Sequence, residues 1–299
     1  MSLNLINSLK RKWNRYDVTR KILNGNYFNE SVVNIHRIDT KNIGDYYCAP
    51  HHYFEPLKGK YLDIFDYKNE NEKIRSNYIE DVCNKSIIVG GGGLLNRGGF
   101  EMQLKLFEKI SEKGKKIVLW GVGHNEKSKE NYGKVSKYNI DINKFGLVGT
   151  RDYSMPGEFV PCVSCLHPIF DQKFDTKNEV GIVFHKDTLK KENITKKYQN
   201  FATSSNTTNL EDLIEFIGES ENIITDSYHT MYWAMLMEKK VITIPNSSKF
   251  FDFKHQPIIS NFDDALNHLN KGETFSGLLE ECREINLKFS EKVFNYLNL

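Results

Sequence analysis

N-I-I-T-D-S-Y-H-T-M-Y-W-A-M-L-M-E-K-K-V-I-T-I-P, residues 222–245, carries the clearest structural pattern in the chain. Ile223 and Ile224 open it as a short apolar run. A polar loop follows over Thr225, Asp226, Ser227, Tyr228 and His229, and an apolar segment from Met231 to Met237 leads into a second run, Val241 to Ile244. The pattern predicts strand, loop, buried helix, strand. Such a unit sets its loop at the carboxyl end of a parallel strand and the amino end of a helix, where unpaired backbone N–H groups and the helix dipole favour an anion. Any one of Thr225, Asp226 and Ser227 would suffice as a helix cap, so three together with a histidine suggest a ligand. The alternative is a histidine that only caps or packs.

The segments before this unit repeat its logic. Val180 to His185 starts a strand, and Tyr198 to Thr203 reads as another, ending at Ser204, Ser205, Asn206, Thr207, Thr208 and Asn209. Leu210, Leu213, Ile214 and Ile217 then mark a helix, with Asn209 and Asp212 spaced as a capping box. Two polar loops therefore fall at the carboxyl ends of strands in one sheet, where open α/β sheets bind ligands. The polar tract Asp171 to Glu179 is the expected domain boundary.

In the first half, Val32 to Ile38 reads as a strand running into Asn42-Ile43-Gly44-Asp45, so Asp45, His51 and His52 are expected in a strand-to-helix loop. Asp45 there is either a base for a hydroxyl or a helix cap. Ser86 to Val89 reads as a strand covered on both faces and enters the run Gly90-Gly91-Gly92-Gly93-Leu94-Leu95-Asn96-Arg97. Four glycines admit a substrate or another backbone closely. The run is not G-x-G-x-x-G and has no G-K-[ST] ending, which excludes a dinucleotide fingerprint and a P-loop. A helix over Phe100 to Ile110, a strand from Lys116 to Trp120, a glycine turn from Gly121 to His124, and a strand delivering Arg151-Asp152 complete an alternating α/β pattern. The fold class is α/β, with two parallel-sheet domains facing a cleft.

Length and charge narrow the function. The chain has 299 residues, enough for two domains, and 41 basic against 39 acidic residues give no field that points to nucleic acid. No apolar run approaches the length needed to cross a bilayer. Five scattered cysteines and no secretory signal pattern suggest reduced thiols in a cytoplasm. Cys162 and Cys165 form one C-x-x-C without the further ligands zinc needs, so packing is expected there and no metal. Residues 3–23 suggest a helix with Leu5, Leu9 and Trp13 on one side and Lys10, Arg11, Lys12, Arg15, Arg20 and Lys21 on the other. Its basic side suits either an anionic membrane surface or water.

Asn42 to Asp45, the glycine run with Leu94-Leu95, Gly121-Val122-Gly123, Arg151-Asp152 with Ser154, and Thr225 to His229 ahead of a buried helix together resemble the polysaccharide pyruvyl transferase family, in order as well as content. The resemblance implies a GT-B-like architecture: residues 1–170 as the acceptor-side domain, 171–275 as the donor domain, and 276–299 as a helix returning to the first. It implies transfer of the enolpyruvyl unit of phosphoenolpyruvate onto two hydroxyls of a cell-surface glycan or its lipid-linked precursor, with no tightly bound cofactor. His229 would be the acid and Asp45 would serve the acceptor. Ser204, Ser205, Asn206, Thr207, Thr225, Asp226, Ser227 and Tyr228, with Gly91, Gly92, Arg97 and Arg151, would surround the donor. In the family outline an arginine stands two residues before the histidine, where this chain has Ser227. Arg97, Arg151, Arg20 or Lys186 is then expected to take the donor carboxylate. The alternatives are a GT-B glycosyltransferase with a nucleotide-sugar donor and a catalytically silent glycan-binding module.

Overall fold

A computed structural model describes residues 3–299, with side chains from Lys10 onward except that of residue 11. In chain order the first half gives α1 (Leu3–Leu23), β1 (Val32–His36), α2 (Ile43–Tyr47), β2 (Tyr61–Asp63), α3 (Glu72–Asn84), β3 (Ser86–Val89), β4 (Gly92–Leu95), α4 (Gly98–Ser111), β5 (Ile117–His124), β6 (Leu147–Thr150) and β7 (Glu158–Phe159). The second half gives β8 (Asn178–Phe184), α5 (Glu192–Lys197), β9 (Ala202–Ser205), α6 (Leu210–Gly218), β10 (Ser220–Thr225), α7 (Tyr228–Leu236), β11 (Lys240–Thr243), β12 (Ile258–Ile259) and α8 (Leu278–Leu297).

Two parallel sheets result. The first is ordered β2-β1-β3-β5-β6-β7, with β4 also paired to β5, and the second β12-β11-β10-β8-β9. This is the GT-B-like arrangement expected from the sequence. The central strands are rich in β-branched residues and buried, apart from Glu221 near the start of β10, as strands covered by helices on both faces must be. Every residue of α7 is buried, which explains why its sequence is apolar all round rather than striped. α8 joins the two cores: Leu278 and Cys282 pack in the cluster around α7, while Phe289, Val293 and Leu297 pack with Trp120. Between them the buried Asn286 accepts from Trp120 Nε1 at 3.0 Å and donates to the carbonyl of Pro161 at 3.2 Å.

Several boundaries differ from the sequence reading. Gly92 to Leu95 forms a strand rather than a loop, and Gly121 to His124 continues β5 rather than turning out of it. Glycine composition argued against strand there, but pairing between β4 and β5 wins. The strand expected from Tyr198 begins only at Ala202, because Tyr198 caps α5 and packs under the second sheet. Asp45 lies inside the short helix α2, not in a loop. On α1, Trp13 is 67% exposed and Val18 and Ile22 face inward, so Trp13 does not belong to the packed stripe; the side chains of Leu5, Leu9 and Arg11 lie outside the described residues. No helix among the described residues is long and apolar enough to cross a membrane.

Candidate active site

A cleft of about 570 Å³ lies between the two sheets, lined by the glycine run, the ends of α2 and α4, Arg151, and residues 185–187, 229 and 249 of the second half. That volume falls in the range of small-molecule sites. The glycines let backbones close up behind it. A Cβ on Gly90 would collide with the carbonyl of Trp120, and one on Gly91 with that of Cys48. Asn34 fixes the run by donating to the carbonyls of Ile88 at 3.1 Å and Gly90 at 2.8 Å.

His229 stands in the first turn of α7 and meets α2 of the other domain. A side chain at Gly44 would overlap its imidazole, so the absence of a Cβ there allows α2 to lie against the histidine. His229 is 5% exposed and its Nε2 has no hydrogen-bond partner. Burial, then the charges of Arg151 and Lys249, hold its pKa well below the ordinary value and favour the neutral ring. One residue on from Gly44, Asp45 accepts from Asn42 Nδ2 at 2.8 Å. Burial raises the pKa of Asp45, opposed by Lys249 and Arg151. Asn206 reaches across from the second domain, donating to Asn42 Oδ1 at 3.1 Å while its carbonyl accepts from the backbone of Ile43.

Arg151 is only 3% exposed, and its guanidinium lies 3.8 Å above the ring of Tyr228. Its Nε and Nη1 are buried without hydrogen-bond partners. A desolvated guanidinium with unused donors is expensive unless an anion completes it. Other cations surround the same space. Arg37 is paired with Asp63, and Lys186 donates to Asp39 at 2.6 Å, but Arg97, Lys127, Arg151 and Lys249 make no ion pair among the described residues. Burial, then Lys127, pull Lys249 down to about 7. Burial and Arg97 likewise lower Lys127.

Of the residues singled out in the sequence, the cleft brings together Asp45, Gly91, Gly92, Arg97, Arg151, Lys186 and His229. It does not include the others. Thr225 donates to the carbonyl of Val183 and caps Ser227 N–H; Asp226 accepts from His185 N–H and Thr188; both serve the second sheet. Ser227 is buried at the start of α7, and Tyr228 supports Arg151 from behind. Ser204, Ser205 and Thr208 line a separate surface hollow, and Ser205 and Thr207 bond each other at 2.7 Å. Arg20 pairs with Asp17 on α1. His51 sits 3.2 Å from His36, ring nitrogen to ring nitrogen, outside the cleft lining. Lys249, Lys127 and Arg37 were missed by the sequence reading. Lys249 sits in an N-S-S-K-F segment with no motif, and its only signal was its place just after a strand of the second sheet.

The arrangement suits a small, highly charged anion held beside a neutral imidazole and a carboxyl group. A family model described as polysaccharide pyruvyl transferase matches residues 16–248. No curated protein matches the chain.

Proposed function

Because the chain belongs to the polysaccharide pyruvyl transferase family, and so is a transferase that modifies a polysaccharide, we propose that its cleft takes phosphoenolpyruvate as donor and builds a pyruvate ketal on a glycan or a lipid-linked precursor. The observation that carries this reading is Arg151: a buried guanidinium, stacked on Tyr228, with two unused donor nitrogens, lining the same cleft as His229. A carboxylate is the natural partner for such a fork. Arg97, Lys127 and Lys249 then face the phosphate, matching four unpaired cations to a donor that carries a carboxylate and a phosphate.

Chemistry follows from charge. Burial is the first cause of the low pKa of His229, and the charges of Arg151 and Lys249 add to it; a bound anion offsets those charges and raises the proton affinity of the ring. His229 gives its proton to the methylene carbon of the enol, leaving an electrophilic carbon that one sugar hydroxyl attacks while Asp45 accepts the hydroxyl proton. A second hydroxyl displaces phosphate, closing the ketal. One hydroxyl proton is thereby balanced by the methyl group formed, the other by the released phosphate.

A thermal-shift panel with phosphoenolpyruvate, UDP, GDP and CMP tests the donor, because a ligand of the native state raises Tm with its concentration over its Kd. Phosphoenolpyruvate alone should raise Tm. A rise with one nucleotide alone would replace this reading with a nucleotide-sugar glycosyltransferase.

A further inference from the structure

Behind Arg151, at the seam between the two halves, lies a second cluster that the transfer chemistry does not use. His124 ends β5, Asp152 follows Arg151, and Asp252 comes from the segment beyond β11. His124 Nε2 and one carboxylate oxygen from each aspartate lie within 4.8 Å of one another. Nε2 is 3.9 Å from Asp152 Oδ1 and 3.8 Å from Asp252 Oδ2, too far for hydrogen bonds.

Each side chain is held from its outer side. His124 Nδ1 bonds Ser248 Oγ at 2.6 Å. Asp152 Oδ2 accepts from the His124 backbone N–H at 2.7 Å and from the Tyr138 hydroxyl at 3.0 Å. One oxygen of Asp252, Oδ1, accepts from Ser154 N–H at 2.8 Å, while Asp252 Oδ2 is shielded from solvent and accepts no hydrogen bond. His124 and Asp152 are each 2% exposed. Three inward ligand atoms, each oriented by a hydrogen bond on the opposite atom of its group, match the outer-shell pattern of metal ligation.

We propose that His124, Asp152 and Asp252 bind one divalent transition-metal ion across the domain seam. One imidazole nitrogen with two carboxylate oxygens and no thiolate suits Mn²⁺, Co²⁺ or Zn²⁺. Such an ion ties the residue after Arg151 to the segment from Ser248 to Asp252 that carries Lys249. It thereby fixes the spacing of two cleft cations without touching the substrate, whichever donor the cleft takes.

The test is a Co²⁺ titration of metal-free, full-length protein followed by visible absorption, with Tm recorded alongside. A saturable one-equivalent spectrum and a raised Tm are expected, both lost in Asp252→Asn and in His124→Gln and both retained in His51→Asn. Asp252 is at the edge of the seam, so its variant decides the matter if His124→Gln does not fold. No saturable spectrum, or one that survives Asp252→Asn, overturns the proposal. So does an intense near-ultraviolet thiolate band, which would put the ion on Cys162 and Cys165.

Discussion

Arg151 and Lys249 show how a cleft can hold unbalanced charge in anticipation of a ligand. Lys249 lies 5.3 Å from the ring of Tyr228 and 5.4 Å from that of Phe250, with Arg97, Lys127 and Arg151 as neighbours in the cleft. Its pKa falls from 10.5 unfolded to about 7 folded. The unfolded chain therefore binds more protons between those values, and the penalty of a charged Lys249 is complete below pH 7 and fades as pH rises toward 10.5. Lys249→Met should raise Tm most below pH 7 and progressively less above it; a gain independent of pH would contradict the charge argument. His229→Ala should abolish transfer and leave the circular dichroism spectrum unchanged, and a fully active variant would remove His229 as the acid. The sequence made His229 and Asp45 legible because each stands in a motif. It also pointed to the loop from Thr225 to Tyr228, where the side chains of Thr225 and Asp226 satisfy buried backbone groups and the Thr188 hydroxyl rather than line the cleft. Lys249 and the His124, Asp152 and Asp252 cluster could not be read, since their meaning arises only when distant segments meet.

At the scale of elements, the contact between α2 and α7 sets the site. Gly44 lets the helix carrying Asp45 touch the helix carrying His229, and Asn206 pins the approach from the second sheet. Gly44→Ala must push the two helices apart or turn His229 out. Overpacking of this kind costs about 1–3 kcal/mol, so urea unfolding should show a matching loss, with activity falling further than stability explains. An unchanged midpoint and rate would mean that the helices have slack. Strand and helix positions in the α/β repeat were largely visible as apolar runs and periodicity. The exceptions were β4 and the end of β5, where glycine supplies a left-handed backbone conformation and hides the strand signal, as Gly92 at φ 94° and Gly121 at φ 63° illustrate.

On the scale of the molecule, two parallel sheets turn their loops toward one cleft, and α8 spans both cores. That alternation was readable from the order of apolar runs, whereas the charge of the cleft was readable only in part: motifs pointed to Arg97 and Arg151, but 41 basic against 39 acidic residues give no hint that Lys127 and Lys249 join them. On the proposed function this charge holds phosphoenolpyruvate, with Arg151 in the role that the family outline gives to an arginine at the position of Ser227. Calorimetric titration of phosphoenolpyruvate into the parent protein and Arg151→Met tests it most directly. A single saturable site is expected, weakened at least about tenfold by the substitution through loss of charge-assisted hydrogen bonds. No saturable heat with the parent, or equal affinity in the two proteins, would contradict it.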